Sequence, residues 1–291
     1  MTITCLSDVR ARLGESPVWS AAENAVWWID IYGCKLHRTA AEGGATETWD
    51  MPARPGMIAE RASGGLIVAL PDGIHGFDPA SGSLEQLVAI EADKPENRFN
   101  DGKCDAAGRL WIGSLNDADS NLGTGCFYRI DPDLTVTLIE DQLDVPNGLA
   151  WSPDDRIMYR TDSHAGVVSA CDYDVTAGRR SNVRLFYHFD RATTGSVDGA
   201  AMDADGGYWT VLFRGGRLIR VAPDGSETVS IALPVTQPTM PCFGGPGMST
   251  AFITTAGDRL SDTGVENQPY AGGLLKLETG VRGHPVHAFG G

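Results

Sequence analysis

The feature that most constrains this chain is a unit that recurs six times along it. Six short runs, residues 25–31, 66–70, 109–115, 156–160, 207–213 and 250–255, are rich in Trp, Ile, Val, Tyr and Phe, the residues that suit a pleated, half-buried strand. Each run follows a short segment of turn residues, at 22–24, 63–65, 106–108, 153–155, 204–206 and 245–247, where Gly, Asn and Asp tolerate the positive φ of a tight hairpin. A second run follows, as at 73–79, 126–132 and 218–224, and then a further apolar stretch, as at 84–90, 135–139, 183–189 and 227–233. The unit is therefore strand, turn, strand, loop, strand, turn, strand, and no long amphipathic helix pattern interrupts it.

The register follows from the turns. The residues standing five before Ser20, Arg61, Asp105, Ser152, Asp203 and Gly247 are Glu15, Gly56, Asn100, Asn147, Asp198 and Cys242, at separations of 41, 44, 47, 51 and 44. A four-stranded unit repeating every ~40–50 residues is the pattern of a β-propeller. A β-sandwich shares the many short strands but gives no reason for that interval. Six units occupy the chain and predict an all-β, six-bladed propeller of four-stranded blades as one domain over 1–291. The outer strand of the last blade comes from residues 2–6 or from 285–289, and the repeat does not choose between them.

In a propeller the first strand of each blade lines the central channel, so residues in register form a ring at one height. Four of the six ring residues carry oxygen: Glu15, Asn100, Asn147 and Asp198. Two carboxylates and two amide oxygens make a hard donor set, which favours Ca²⁺, Mg²⁺ or Mn²⁺ over Zn²⁺ or Fe²⁺. Single polar residues at strand starts commonly satisfy only turn backbone, but carboxylates converging on one channel repel unless a cation or a proton intervenes. The ends of the second strands, with Asp30, Asp72, Asn116, Asp117, Asp162, Ser163, His164, Arg214 and Asp258, form the rim of the same mouth, and Arg98 points toward it. None of the six histidines falls in the ring, and no GxSxG, HExxH or phosphate-loop pattern occurs.

Composition narrows the partners. The formal net charge is −15, so a nucleic-acid backbone is repelled. No apolar run reaches the ~18 residues a membrane helix needs, and residues 1–14 lack the apolar core of a secretory signal. The expectation is a cytoplasmic protein without a membrane or nucleic-acid partner. Its six scattered cysteines, without a CxxC pair, are expected reduced and mostly buried.

Four segments carry a resemblance. Gly14-Glu15-Ser16-Pro17-Val18-Trp19, Asn97-Arg98-Phe99-Asn100-Asp101-Gly102-Lys103, Pro146-Asn147-Gly148-Leu149-Ala150-Trp151-Ser152-Pro153-Asp154 and Val197-Asp198-Gly199-Ala200 resemble, in order and spacing, the SMP-30/gluconolactonase/LRE family. Tyr270-Ala271-Gly272-Gly273-Leu274 fits it as well. The resemblance implies a hydrolase that opens a small sugar lactone with one divalent cation. By the same resemblance Glu15, Asn147 and Asp198 hold the metal, Asp198 also serves as general base, Asn100 lies close to the metal or its water, and Arg98 and Asn100 contact sugar hydroxyls. One departure is visible. Regucalcin-type members place a substrate-contacting carboxylate eighteen residues after the Asn of the Asn-Asp-Gly motif, where this chain has Ala118, flanked by Asp117 and Asp119. Asp117 is the expected substitute. The other classes open to such a propeller are a calcium-dependent phosphotriesterase or arylesterase, which generally has a His near the metal, and a non-catalytic interaction module.

Overall fold

A computed structural model describes residues 2–258, 260 and 267–291. Its strands form six antiparallel sheets of four. Blade 1 comprises Gly14–Ser20, Ala25–Asp30, Lys35–Ala40 and Glu47–Asp50, and blade 2 comprises Met57–Glu60, Leu66–Leu70, Gly73–Asp78 and Ser83–Ala89. Blade 3 runs from Asn97–Cys104 through Leu110–Asn116 and Gly125–Ile130 to Val136–Leu143. Blade 4 runs from Pro146–Trp151 through Ile157–Asp162 and Val167–Asp174 to Arg179–His188. Blade 5 is Ser196–Met202, Tyr208–Phe213, Arg217–Val221 and Glu227–Ala232. Blade 6 is Pro238–Gly244, Thr250–Thr255, Leu275–Glu278 and the N-terminal Thr4–Cys5. Each inner strand packs against those of the blades before and after it, and blade 6 meets blade 1. The molecule is the expected six-bladed propeller.

The burial gradient explains the composition of each strand. Second strands are sandwiched between neighbouring blades, and Leu66–Leu70 and Ala25–Asp30 are buried along their whole length, where a strand covered on both faces has no need to alternate. Fourth strands lie at the rim and are largely exposed, as in Ser83–Ala89 and Arg179–His188, and their charges discourage edge-to-edge pairing. Blades 3 and 5 share an internal brace. Asp105 and Asp203 are fully buried at the end of the inner strand and accept the indole N–H of Trp111 and Trp209, each six residues on. These turn carboxylates hold strands together, as their place in the repeat suggests.

The N-terminus, not the C-terminus, closes the ring: Thr4 and Cys5 pair antiparallel with Lys276 and Leu275. The C-terminal residues instead cross the face opposite the ring residues. Gly283 bridges Asp203 of blade 5, His287 bridges Cys104 of blade 3, and Phe289 bridges Arg61 beside blade 2. Phe289 is sealed in the core with Ile67, Leu110 and Ile130. Burial there outweighs the one extra strand pairing the tail could have made. All six cysteines are free, four of them buried. Among the described residues no helix is long and apolar enough to cross a membrane.

Candidate functional site

The ring positions are marked by β-bulges. The pairing of the first two strands slips between Glu15 and Val18, Phe99 and Gly102, Asn147 and Ala150, Val197 and Ala200, and Pro238 and Met240. A bulge frees one or two residues from the ladder and re-aims their side chains, and here it does so at one height in five blades. Ser16 beside Glu15 has φ 47°, and Gly148 beside Asn147 has φ 63°. A side chain at Gly148 would also meet the Tyr208 hydroxyl at 2.4 Å, so the residue after Asn147 is held to glycine by conformation and by space. Blade 2 shows no bulge. Its ring residue, Gly56, could carry no side chain, because a Cβ would lie 2.3 Å from the Phe99 carbonyl oxygen.

Blade 6 corrects the register. Its inner strand pairs Cys242 with Phe252, as Val18 pairs with Trp27 in blade 1. The residue at the height of Glu15 is therefore Thr239, whose hydroxyl donates to the Gly14 carbonyl. The 3-10 turn Pro246–Met248 lengthens this hairpin and displaced the count by three residues. Cys242 lies deeper, on a small apolar hollow under the C-terminal tail.

Glu15, Asn100, Asn147 and Asp198 come together on one cavity of about 420 Å³. A chain of hydrogen bonds links them. Arg98 Nη1 donates to Asn100 Oδ1 at 2.8 Å, Asn100 Nδ2 donates to Asn147 Oδ1 at 2.8 Å, and Asn147 Nδ2 donates to Asp198 Oδ1 at 2.8 Å. Ser163 fixes the Asn147 amide by accepting from Nδ2 at 3.0 Å while donating to the Val197 carbonyl. Glu15 is held by the N–H of Ser16 at 3.0 Å. Burial pushes the Glu15 carboxyl up to about 8, with Asp101 adding repulsion that Arg98 and Lys103 partly offset. Burial first, then the fields of Glu15 and Asp101, raises Asp198 well above the ordinary carboxyl value. Among the described residues neither acid has a basic side chain within ion-pair distance.

That arrangement passes a physical test for a cation. Two carboxylates facing one cavity, both raised by burial and Asp198 also by the field of Glu15, are stabilised as anions only when positive charge enters. The donors are all oxygen and no imidazole stands among them, which fits a hard divalent ion.

The remaining expected residues separate into two groups. Arg98 is buried and donates from Nε to Asp117 Oδ1 at 2.8 Å, and Arg54 also pairs with Asp117. Arg98 and Asp117 line both the main cavity and an adjoining hollow of about 450 Å³, and Ala118 lies at their junction. Asp119 is exposed at the edge of the main cavity and accepts from the N–H of Asn121 at 3.0 Å. Of the rim residues, Asp30 accepts from the N–H groups of Arg12, Leu13 and Gly33, and Asp162 from those of Asp144, Val145 and His164. Both brace loop backbone rather than face the cavity.

Three neighbours carry no mark in the repeat. Asp101 accepts from the Leu149 N–H at 2.9 Å, tying blade 3 to blade 4. Lys103 is buried beneath it, donates to the Ala200 carbonyl at 2.8 Å and lies 4.0 Å from Asp101. Arg54 precedes blade 2 in an irregular segment. Asp101 and Lys103 sit within the Asn-Asp-Gly-Lys motif, and that adjacency is the only signal that could have found them.

The channel mouth thus gathers two acids without a basic partner and two amides, with a guanidinium and a carboxylate beside them. The model of the SMP-30/Gluconolactonase/LRE-like region matches residues 13–257, and the chain belongs to that family. Regucalcin from Xenopus laevis is 34% identical over 99% of this chain and 98% of its own length. The 6-deoxy-6-sulfogluconolactonase of Pseudomonas putida is 35% identical over 100% of this chain and 99% of its own. The structure of a calcium-binding protein, regucalcin, from Agrobacterium tumefaciens superposes with a TM-score of 0.92 at 27% identity, covering 98% of this chain and 96% of that one.

Proposed function

We propose that the protein is a metal-dependent hydrolase that opens a sugar lactone to its aldonic acid. The observation that carries this is the buried pair Glu15 and Asp198, raised by burial and left without a basic partner, on a polar cavity large enough for one sugar ring. Glu15, Asn147 and Asp198 are the residues that would hold a divalent cation, Ca²⁺ by donor type, with Mg²⁺, Mn²⁺, Zn²⁺ and Fe²⁺ as the competing ions. Bound there, the ion supplies Lewis acidity toward the lactone carbonyl oxygen. Asp198 takes the proton of the attacking water as the new C–O bond forms. When the ring C–O bond breaks, the same carboxyl returns the proton to the departing ring oxygen. Asn100, placed between Arg98 and Asn147, orients the lactone, and Arg98 with Asp117 holds sugar hydroxyls.

The test is acid release from glucono-1,5-lactone and xylono-1,4-lactone by EDTA-stripped protein with single cations restored. Turnover recovered by one ion is the expected result. Turnover of aryl esters or phosphotriesters instead would move the protein to the esterase class, and no turnover with any ion would leave a binding propeller.

A specific observation favours an anionic sugar within that class. Arg191 and Arg214 both line the cavity, and among the described residues neither has a carboxylate partner. Arg191 donates to the Ser196 hydroxyl and the His164 carbonyl, and Arg214 lies over the Phe213 ring. In a chain of net charge −15, two unneutralised guanidiniums at one mouth suit a sulfonate or carboxylate at the far end of the substrate. The similarity to a sulfogluconolactonase points the same way. Arg214→Ala should raise KM for 6-sulfogluconolactone about tenfold, one hydrogen-bonded charge, and leave that for gluconolactone unchanged. Equal effects on both lactones would remove the anion preference.

A further inference from the structure

On the face opposite the ring, the C-terminal tail is tied by backbone hydrogen bonds to the turns of four blades, to blade 6 through the Gly283 N–H and the Met248 carbonyl. Ala204 N–H of blade 5 donates to the Arg282 carbonyl, Gly290 N–H to the Gly108 carbonyl of blade 3, and Ala62 N–H beside blade 2 to the Phe289 carbonyl. Blade 4 stands between blades 3 and 5, and among the described residues no such bond joins its turn to the tail. Side chains meet there instead. One ligand atom each from Asp155, His284 and His287 lies within 4.8 Å of the others. Asp155 Oδ1 and His287 Nε2 are 3.6 Å apart.

These atoms are buried and idle. Asp155 Oδ1, His284 Nε2 and His287 Nε2 are all shut from solvent and have no hydrogen-bond partner. Buried polar atoms are normally paired, and three orphans at one point call for a missing partner. The backbone adds an independent sign. Asp155 occupies the turn position held in blades 2, 3 and 5 by Gly64, Gly108 and Gly206, with the same N–H to carbonyl bond three residues back. All four have positive φ, from 57° at Asp155 to 103° at Gly64. Blades 1 and 6 also hold a side chain at positive φ in this turn, Asn24 at 49° and Met248 at 59°, but only in blade 4 is that side chain a carboxylate, and it stands beside two imidazoles.

We propose that Asp155, His284 and His287 form a second metal site, selective for a borderline dication such as Zn²⁺, that clips the C-terminal tail to blade 4. Two imidazoles and one carboxylate are a donor set of zinc and not of calcium. Tetrahedral zinc with bonds near 2.0–2.1 Å needs ligand atoms about 3.3 Å apart. The Asp155–His287 edge is nearly that, and the tail need move only slightly to bring in His284. The three residues are each partly exposed, which leaves an entry path. The site shares no residue with the channel mouth and does not depend on the activity proposed there.

The test uses the full chain carrying Glu15→Gln and Asp198→Asn, so that the mouth no longer competes for metal. Titration with ZnCl₂ by calorimetry should show one site, and Co²⁺ in its place should give the visible absorption of a four-coordinate His₂Asp centre. Zinc should raise the melting temperature by several degrees and slow carboxypeptidase release of the tail, while CaCl₂ does neither. Adding His287→Gln, or separately His284→Ala, should abolish all of these. No zinc bound at micromolar concentration, or zinc binding unchanged by both histidine variants in folded protein, would overturn the proposal. In the otherwise native chain the same two variants should leave lactone turnover unchanged, which separates this site from the mouth.

Discussion

Asp198 and Asp203 stand five residues apart, at opposite ends of the inner strand of blade 5, and they have opposite fates. At Asp203 burial works against the charge, but Arg220, the Trp209 indole and the Gly207 N–H more than offset it and hold the carboxyl below its ordinary 3.8. The Arg220 Nε donates to Oδ2 at 2.6 Å. At Asp198 burial works the same way, and what surrounds it is an amide and two more acids. One carboxylate was given its cation by the sequence and the other was not. A buried acid with a built-in partner is a brace, whereas one left short of positive charge marks where an outside ion or a proton is to be used.

The sharpest way to break this contrast is to neutralise each acid. Asp198→Asn should cut lactone turnover by roughly 10³-fold, about 4 kcal/mol of transition-state stabilisation. Its melting temperature without added cation should hold or rise, because the change removes a charge that had no partner. Asp203→Asn should do the reverse. It strands Arg220 and weakens the indole bond, at a cost of about 3 kcal/mol, while turnover per folded molecule is kept. The pH dependence fixes the sign. Since the folded Asp203 carboxyl is depressed, its contribution is complete above 3.8 and is lost as pH falls through the lower folded value. Denaturation curves of the native chain and of Asp203→Asn should therefore converge only in acid below that point. Curves that stay parallel there would mean the carboxylate contributes nothing as an ion. An Asp198→Asn variant that unfolds like Asp203→Asn would erase the distinction.

The architecture and most of the mouth were legible because both depend on register. A repeat of strands fixes which residues begin each inner strand, and beginning an inner strand is enough to place Glu15, Asn100, Asn147 and Asp198 on one channel. The count failed at Cys242 because a three-residue 3-10 turn was inserted after the strand, and only pairing reveals that Thr239 holds the ring position. Ring closure was illegible for a different reason. A strand of two residues, Thr4–Cys5, has no periodicity to read, and the tail that might have replaced it is as apolar. Lys103 escaped because its position in the repeat is filled by Val18, Ala150, Ala201 and Cys242 in other blades and so carries no polar pattern. Arg54 escaped because it lies outside the strands, and the clip of Asp155 with His284 and His287 because it joins residues more than 120 apart, which no local pattern records.

A smaller effect sharpens the account of how the mouth is held. Ser163 touches no ligand in the scheme above and acts through Asn147, whose Nδ2 it anchors at 3.0 Å. Ser163→Ala lets the amide rotate and should weaken Ca²⁺ binding by about tenfold, the lower end of what outer-shell partners of metal ligands contribute. The signature of a positioning role is that kcat at saturating cation recovers, and failure to recover would assign Ser163 to the chemistry itself.

The smallest expected effect decides what replaces the acid missing at Ala118. Two carboxylates flank it, and their surroundings differ as those of Asp198 and Asp203 do, this time in the reverse sense. Asp117 is bound to Arg98 on the cavity and to Arg54 on the adjoining hollow, so it presents the guanidinium of Arg98 to the ligand in a fixed pose. Asp119 is exposed and spends its oxygen on the N–H groups of Asn121. Asp117→Ala should therefore raise KM about fivefold, the ~1 kcal/mol of a half-exposed ion pair, with kcat little changed, as expected when an interaction is made equally in ground and transition states. Asp119→Ala should change neither constant. If Asp119→Ala raises KM and Asp117→Ala does not, the carboxylate that serves the sugar is the exposed one at the edge of the cavity.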